Sequence, residues 1–276
     1  MKHIFLFSIL TLLRFGTTLF AQDTKEINVI AIYGDTKTNH EVHQKIVNNI
    51  ITYHPQLVVH TGDEVNMGFM KNEWNKFNSI TKDLRSTAMY FPVPGNHEFE
   101  APQYYANFDL PEPKKWYSYS NGGLLMLFFN TNVDIDTASQ QYKYFVKVLE
   151  EKGKSASYII AIAHHPPYTT AAHQRRTAEL QEVFTPLFKK YNVSALFSGH
   201  VHAFEHSVVN SMQYVVTGGG GASLHKQKYA SSYSKKYYFG FNFCILHIYK
   251  DKIQVKVYDE NNQPVYDFEI LSQITE

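Results

Sequence analysis

The chain has 276 residues, of which 44% are hydrophobic and 18% are charged, a composition typical of globular proteins rather than of collagens, coiled coils or disordered chains. Its 26 basic and 25 acidic residues nearly cancel, so it lacks the excess positive charge with which proteins bind nucleic acids, and no nucleic-acid polymer is expected as a partner. One cysteine, Cys244, excludes an intrachain disulfide.

The first 21 residues have the pattern of a secretory signal peptide. Lys2 precedes an apolar stretch from Ile4 to Leu13, and small and polar residues then lead to a cleavage site after Ala21. The apolar stretch is about half the length of a membrane-spanning helix, so no stable membrane insertion is expected, and a retained N-terminal helix or anchor is the alternative. We therefore expect an exported protein, periplasmic or extracellular, with one domain over residues 22–276.

Apolar strands alternate with amphipathic helices through the first part of this domain. Strands are predicted at 27–33, 57–60, 89–93, 124–129, 158–163 and 193–197. Helices are predicted after each of the first two strands and over 140–152 and 174–190, while 101–113 is predicted as a loop. Short strands with polar or glycine-rich turns follow at 206–210, 213–217, 240–249, 252–258 and 264–270. This order predicts an α/β fold with two sheets that share one core.

Side chains with metal-binding atoms follow five of the predicted strands. These residues are Asp35, Asp63, Asn96 with His97, His164, and His200 with His202. Sites in open α/β sheets form where the carboxyl ends of strands meet loops, so the five segments are expected to converge. Oxygen and imidazole ligands without a thiolate suit Zn, Mn or Fe rather than copper or an iron–sulfur cluster.

The ordered set of motifs resembles the calcineurin-like metallophosphoesterases. The motifs are Gly34-Asp35, Gly62-Asp63, Gly95-Asn96-His97-Glu98, His164-x-Pro166 and Gly199-His200-x-His202. The block from Gly199 to Glu205 and the glycine-rich segment from Val216 to Ala222 are similar to the purple acid phosphatase branch. This resemblance implies a four-layer α/β/β/α sandwich with two mixed β-sheets and a metal site at the carboxyl ends of the strands.

The resemblance also implies a two-metal centre and a role for each ligand. Asp63 would bridge the two ions, since a carboxylate has two oxygens. The other ligands would be Asp35 and His202 at the first ion, and Asn96, His164 and His200 at the second. Two such ions clamp a phosphoryl group and activate a shared water. His97 would be the catalytic residue that donates a proton or a hydrogen bond to the phosphate.

Two positions depart from the family pattern near the first ion. Many members have a histidine two residues after the first Asp, where this chain has Lys37, and purple acid phosphatases have a tyrosine where this chain has Asn66. The first site is therefore left with three protein ligands, and weak occupancy is left open. Lys37 is a candidate phosphate ligand, with a solvated lysine as the alternative. Without a carboxylate at Asn66, His97 is expected to be a weaker acid–base group.

Two further histidines are candidates for substrate contacts. His165 is adjacent to a ligand and is interpreted as lying behind the metal rather than on it. His173 belongs to a loop that is expected to pass near the metals. The glycine run from Gly218 to Gly221 is predicted as a tight turn rather than a phosphate cradle, because no lysine and helix follow it. Cys244 lies in an apolar strand and is predicted to be buried.

The sequence thus predicts an exported hydrolase of small phosphate esters that uses two ions of Fe, Zn or Mn. The motif from Gly199 to Glu205 favours a phosphomonoesterase of the acid-phosphatase type with a metal-bridging hydroxide. A phosphodiesterase acting on nucleotides or glycerophosphodiesters is one alternative. A metal- or phosphate-binding protein with little turnover is another.

Overall fold

A computed structural model of the protein describes residues 27–98, 100–172 and 176–273. The predicted signal peptide and His173 lie outside these residues, so both remain predictions. Within the described ranges, no helix is both long enough and apolar enough to cross a membrane.

The described residues form strands and helices in the following order. The first half contains β1 (Val29–Tyr33), α1 (His40–Thr52), β2 (Leu57–His60), α2 (Lys71–Thr87), β3 (Met89–Pro92), α3 (Pro102–Asn107), β4 (Tyr117–Asn121), β5 (Leu124–Phe128) and α4 (Gln140–Lys152). The second half contains β6 (Tyr158–Ala163), α5 (Thr177–Lys190), β7 (Ala195–Ser198), β8 (Phe204–Val209), β9 (Met212–Thr217), β10 (Ser234–Tyr238), β11 (Phe243–Ile248), β12 (Lys252–Tyr258) and β13 (Pro264–Leu271).

The strands form two mixed sheets, as predicted. The first sheet has the order β13-β12-β11-β1-β2-β3, in which β1, β2 and β3 are parallel and β11 runs antiparallel to β1. The second sheet has the order β10-β8-β9-β7-β6-β5-β4, with β5, β6, β7 and β9 parallel. The parallel strands of each sheet end at the same edge, which is where the predicted ligands begin.

Successive side chains of a strand point to opposite faces of its sheet, one towards the other sheet and one towards the helices, and this gives four layers. Ile30 and Ile32 on β1 belong to the same buried cluster as Met126 and Phe128 on β5, so this cluster fills the space between the sheets. Tyr33, with its opposite orientation, packs with buried residues of α1 and α2. The outer face of the second sheet packs in the same way on α4 and α5. The predicted α/β/β/α sandwich is therefore confirmed.

Three elements differ from the sequence predictions. The segment 101–113, predicted as a loop, contains α3, which begins with Pro102 and buries Tyr104. Strands β4 and β10 were not predicted; each is an edge strand with several half-exposed polar residues, so neither has a clear apolar pattern. The other predicted strands are observed within three residues of their expected bounds, and the largest difference is at β11, which begins at Phe243 rather than at position 240.

Candidate metal centre

The loops after five parallel strands bring the predicted ligands together. Asp35 follows β1, Asp63 follows β2, Asn96 and His97 follow β3, His164 follows β6, and His200 and His202 follow β7. Two groups form there: one of Asp35, Asp63 and His202, and one of His164, His165 and His200, with the ligand atoms of each group all within 4.8 Å of one another. We call the first of these clusters the first group. The name second group is kept for Asp63, Asn96, His164 and His200, the ligands that the family resemblance implies for the second ion, beside which His165 lies.

The backbone at the site is held in unusual conformations. Asp35, Asp63 and His200 have φ values of 60°, 59° and 66°, in the left-handed region that residues other than glycine seldom adopt. A Cβ on Gly95 would lie 2.2 Å from Oδ1 of Asp63, and a Cβ on Gly199 would lie 2.4 Å from Oδ2 of Asp35. The glycines of the motifs are therefore needed for the carboxylates to fit, and strain of this kind is concentrated at functional sites.

Hydrogen-bond acceptors converge in the second group. Oδ1 of Asn96 lies 3.2 Å from Nε2 of His164 and 3.0 Å from Nδ1 of His200, and Oδ1 of Asp63 lies 3.4 Å from Nε2 of His164. Nδ1 of His164 donates to the carbonyl oxygen of Thr61 at 2.8 Å, so a neutral ring directs the lone pair of Nε2 into the group. Acceptors that face one another in this way fit a bound cation, and the mixture of oxygen and nitrogen suits Zn, Mn or Fe.

The imidazole ring of His200 is kept neutral. Burial and the neighbouring His164 and His165 lower the pKa of His200, and a neutral ring is the form that binds metal. His165 is also buried; its Nδ1 lies 2.8 Å from the hydroxyl of Thr131, and its ring centroid lies 4.5 Å from that of His200. His165 is thus beside the second group, within reach of the ligands, and its contact with substrate remains a prediction.

The first group is held by contacts behind the ligands. Nε2 of His202 lies 3.4 Å from Oδ1 of Asp35, and Nδ1 of His202 donates to the carbonyl oxygen of Ser223 at 2.7 Å. The ring of His202 stacks on that of His225 at a centroid distance of 4.0 Å. Oδ2 of Asp35 accepts the backbone N–H of His200 at 2.9 Å. His225 is not among the predicted site residues, because no motif includes it.

The ammonium of Lys37 lies inside the first group. It forms an ion pair with Oδ2 of Asp63, and it lies 3.2 Å from Nε2 of His202 and 3.8 Å from Oδ1 of Asp35. Only 7% of Lys37 is exposed, so the alternative of a solvated lysine is wrong. Burial acts to lower the pKa of Lys37, but Asp63 and Asp35 outweigh it and raise this pKa above its ordinary value.

Asp63, to which the family resemblance assigns the bridging position, is an ionised carboxylate. Burial alone would raise the pKa of Asp63, but the adjacent His164 and Lys37 hold it well below its ordinary value. Asp63 therefore carries a negative charge that faces both groups, which is the property required of a shared ligand.

His97 lies at the rim of the centre and is half-buried. Its backbone N–H donates to Oδ1 of Asp63 at 3.0 Å, and its Nδ1 donates to the main-chain carbonyl of Asn66 at 2.8 Å. Asn66 therefore accepts this hydrogen bond with its backbone carbonyl, and not with its side chain. The backbone N–H of Asn66 in turn donates to Oε2 of Glu73 at 3.3 Å, so a carboxylate does support this histidine, one step further away.

Glu98 braces the loop that carries the bridging carboxylate. Its Oε2 accepts the backbone N–H groups of Asp63 at 3.0 Å and Gly95 at 2.6 Å, and its Oε1 accepts that of Val65 at 3.3 Å. Burial, together with the nearby Glu64 and Asp63, raises the pKa of Glu98 well above its ordinary value. The residue after His97 in the motif thus ties the second and third strand ends together.

Glu205 plays a similar part for the loop after β6. Its carboxylate accepts hydrogen bonds from the hydroxyl of Thr169 at 2.9 Å, from the hydroxyl of Thr170 at 2.7 Å and from the hydroxyl of Ser234 at 2.7 Å. Glu205 is the last residue of the motif that begins at Gly199, so the motif includes this bracing residue.

The glycine run packs under the first group. The backbone N–H of Gly220 donates to the carbonyl of Gly34, and the N–H of Gly218 donates to that of Ala203. A Cβ on Gly218 would lie 2.6 Å from Oδ2 of Asp35. These N–H groups are used within the chain, which agrees with the predicted tight turn rather than with a phosphate cradle.

Comparisons with known proteins agree with this geometry. The sequence model of the calcineurin-like phosphoesterase family matches residues 29–204. Purple acid phosphatase 15 of Arabidopsis thaliana is 26% identical over 171 residues, covering 54% of this chain and 32% of that protein. Probable purple acid phosphatase 20 of the same plant is 25% identical over 194 residues, covering 63% of this chain and 45% of that protein. The chain therefore matches less than half the length of these curated relatives.

Solved structures show the same fold. A purple acid phosphatase isolated from yellow lupin (Lupinus luteus) seeds superposes with a TM-score of 0.78 at 20% sequence identity, covering 89% of this chain and 54% of that one. The resemblance inferred from the motifs is thus confirmed. Because the family model spans more than half of the sequence, this chain belongs to the calcineurin-like phosphoesterase family.

Proposed function

We propose that this protein is a metal-dependent hydrolase of small phosphate esters, and specifically a phosphomonoesterase of the acid-phosphatase type. The observation that carries the proposal is the convergence of acceptor atoms from Asp63, Asn96, His164 and His200, with His97 at the rim. The two relatives described above are both named purple acid phosphatases, which supports a monoester over a diester.

The four side chains of the second group would hold the metal. A divalent cation there would supply Lewis-acid polarisation of a phosphoryl oxygen and a bound water of lowered pKa. The tautomer of His164 is fixed by Thr61, which orients its Nε2 before any ion arrives. Because the loops are held by Glu98 and Glu205, the ligands are preorganised.

His97 would move the proton. Its Nδ1 donates to the carbonyl of Asn66, which leaves Nε2 as the nitrogen that exchanges a proton with the ester or the phosphate. The backbone hydrogen bond from His97 to Asp63 keeps the ring next to the second group. In this proposal, a metal ligand and the acid–base group are neighbours in one loop: Asn96 binds the metal and His97 transfers the proton.

Export is part of the same proposal. We infer from the sequence that residues 1–21 direct the chain out of the cytoplasm, to the periplasm or the extracellular space, and are then removed. Cleavage after Ala21 predicts a mature chain that begins at Gln22. Mass spectrometry of the protein recovered from the producing cells tests this prediction.

Hydrolysis by the purified chain tests the activity. An aryl phosphate monoester and the matching bis-aryl diester are compared after chelation and after addition of Mn²⁺ or Zn²⁺. We expect monoester hydrolysis that the chelator abolishes. The variant Asp63→Asn should lose it by at least about a hundredfold, in the range for loss of a main catalytic contribution, whereas the exposed control Asp109→Asn should retain it.

The other outcomes distinguish the alternatives. A preference for the diester would indicate a phosphodiesterase. Metal binding with no turnover of either ester would indicate a binding protein. Full activity of Asp63→Asn would contradict the assignment of the bridging ligand.

A further inference from the structure

The first group of ligands already contains a cation that belongs to the chain. The ammonium of Lys37 contacts Asp63 and lies 3.2 Å from Nε2 of His202 and 3.8 Å from Oδ1 of Asp35. These are the same three residues whose ligand atoms form the first group. One positive charge thus faces every ligand that a first metal ion would use.

The chemistry of the ammonium matches that of the group. An ammonium has three N–H donors and no acceptor. Two acceptors, Oδ2 of Asp63 and Nε2 of His202, lie within hydrogen-bond distance of Lys37, and Oδ1 of Asp35 lies at ion-pair distance. Nδ1 of His202 donates to the carbonyl of Ser223, so its Nε2 presents a lone pair that requires a donor or a cation. The carboxylates of Asp35 and Asp63 are almost completely buried, at 0% and 1% exposed, and buried charges are stable only when they are paired.

We propose that the ammonium of Lys37 permanently takes the place of the first metal ion, so that this chain binds a single metal ion, in the group formed by Asp63, Asn96, His164 and His200. The inference rests on the proposed function, because it requires that the second group binds a metal ion. It differs from the expectation based on the sequence, in which the first site is weakly occupied and Lys37 faces the phosphate or solvent.

Lys37 is covalently held beside the first group, which opposes its displacement by a metal ion. Lys37 lies two residues after Asp35, on the loop that follows β1, and 93% of it is already removed from solvent. An incoming divalent ion would meet a like charge within contact distance of its own ligands, and like charges this close repel strongly in a buried site. Asp63 can still share its other oxygen, Oδ1, which lies 3.4 Å from Nε2 of His164, with an ion in the second group.

A built-in ammonium has consequences that a metal ion would not have. Chelation cannot remove it, so one positive charge remains beside Asp35 and Asp63 in the metal-free protein. It is a point charge without the fixed coordination geometry of a metal, and it can face one oxygen of a bound phosphate. The single metal ion and the ammonium would then be the two cations that flank the phosphoryl group.

Counting metal ions tests the proposal. The purified full chain is chelated, dialysed against excess Mn²⁺ and analysed by elemental mass spectrometry, with electron paramagnetic resonance to separate isolated from spin-coupled Mn²⁺. Wild type should bind one isolated ion. Lys37→His, which supplies the histidine that many relatives have at this position, should bind two coupled ions. Lys45→His, an exposed lysine of α1, is the matched control and should bind one.

The outcomes separate this inference from the proposed function. Two coupled ions in wild type would overturn the inference and leave the function intact. No bound ion in wild type would overturn both, since the second group would then not hold a metal. One ion in both wild type and Lys37→His would show that the lysine is not what excludes the first ion, and would also overturn the inference.

Labelling of wild type provides a test that needs no variant. Reductive methylation followed by peptide mass spectrometry reports whether each lysine is accessible. Lys37 should stay unmodified both in the chelated chain and at saturating Mn²⁺, while the exposed Lys45 is modified in both. Modification of Lys37 only after Mn²⁺ is added would show that an ion displaces the ammonium, and would overturn the proposal.

Discussion

His97 is the residue whose role depends most on its hydrogen bonds. Its ring is oriented by a main-chain carbonyl, that of Asn66, and its backbone is bound to the carboxylate of Asp63. A carbonyl cannot stabilise an imidazolium as a carboxylate does, since it has no net charge. On the side of the ring, the carboxylate of Glu73 is connected to His97 through the peptide of Asn66.

Removal of the His97 ring should therefore reduce turnover without removing metal. We expect His97→Ala to lower the rate of monoester hydrolysis by about 10²–10⁴-fold, the usual contribution of a general acid, with the Mn²⁺ content unchanged. The exposed His54→Asn is the control, because asparagine tolerates the positive φ of that position. Loss of metal together with activity would instead assign His97 to the structure of the loop.

Glu98 should matter for stability more than for chemistry. Glu98→Ala would leave the buried N–H groups of Asp63, Gly95 and Val65 without their acceptor, and each such loss costs about 1–3 kcal/mol. We expect a lower free energy of unfolding in urea and weaker Mn²⁺ binding, with a milder effect for Glu98→Gln, which retains one acceptor oxygen. Equal stability of Glu98→Ala and wild type would contradict this bracing role.

The loops at the strand ends fix the position of the centre, and their glycines make it possible. Gly95→Ala would place a methyl group 2.2 Å from Oδ1 of Asp63, whereas Gly153→Ala would meet its nearest neighbour at an ordinary 3.5 Å. We expect Gly95→Ala to lose Mn²⁺ binding, measured by calorimetric titration, and Gly153→Ala to bind as wild type does. Unchanged binding by Gly95→Ala would mean that the carboxylate can move without harm to the site.

Sequence patterns predict some elements of this fold better than others. Strand β6 is entirely apolar and α4 has a clear apolar face with a serine cap, and both are found where the pattern places them. Strand β10 has only partly buried or exposed residues, so its membership of the sheet depends on pairing with β8 and leaves no local signal. Short helix α3 is determined by the burial of Tyr104 against the core rather than by a helical period.

The site residues also divide into those that a local motif predicts and those whose contacts depend on the fold. Each predicted ligand stands at a fixed place in a motif, so the sequence indicates all six, and the resemblance to the family implies how they are grouped. The partners of Lys37 and His202 could not be predicted in this way. Lys37 and His202 are 165 residues apart, and their contact exists only because the loop after β1 and the loop after β7 meet at the same edge of the sandwich.

At the scale of the whole molecule, buried histidines couple folding to pH. Burial lowers the pKa of His60 to about 3 and lowers that of His43 well below its ordinary value. Between pH 6.5 and pH 3 the unfolded chain therefore binds protons that the folded chain does not bind. The sandwich should lose stability as the pH falls through this range, and these two groups should contribute no pH dependence above it.

This pH dependence can be measured and assigned. We expect the free energy of unfolding of the chelated chain to fall below pH 6.5 by up to about 1.4 kcal/mol per pH unit for each such histidine. His43→Phe removes one of these groups from the cluster of Tyr33 and Phe77 and should reduce the slope, whereas the exposed His54→Asn should not. The same slope in His43→Phe as in wild type would show that other groups dominate.

The most direct test of the whole account is a titration of activity with metal. The chelated wild-type chain receives increasing Mn²⁺ while hydrolysis of an aryl phosphate monoester is followed at a fixed pH. We predict that activity is absent without metal, rises with the first equivalent and reaches its maximum at one ion per chain. Activity that requires a second equivalent would contradict the place given to Lys37, and no hydrolysis at any loading would contradict the proposed function itself.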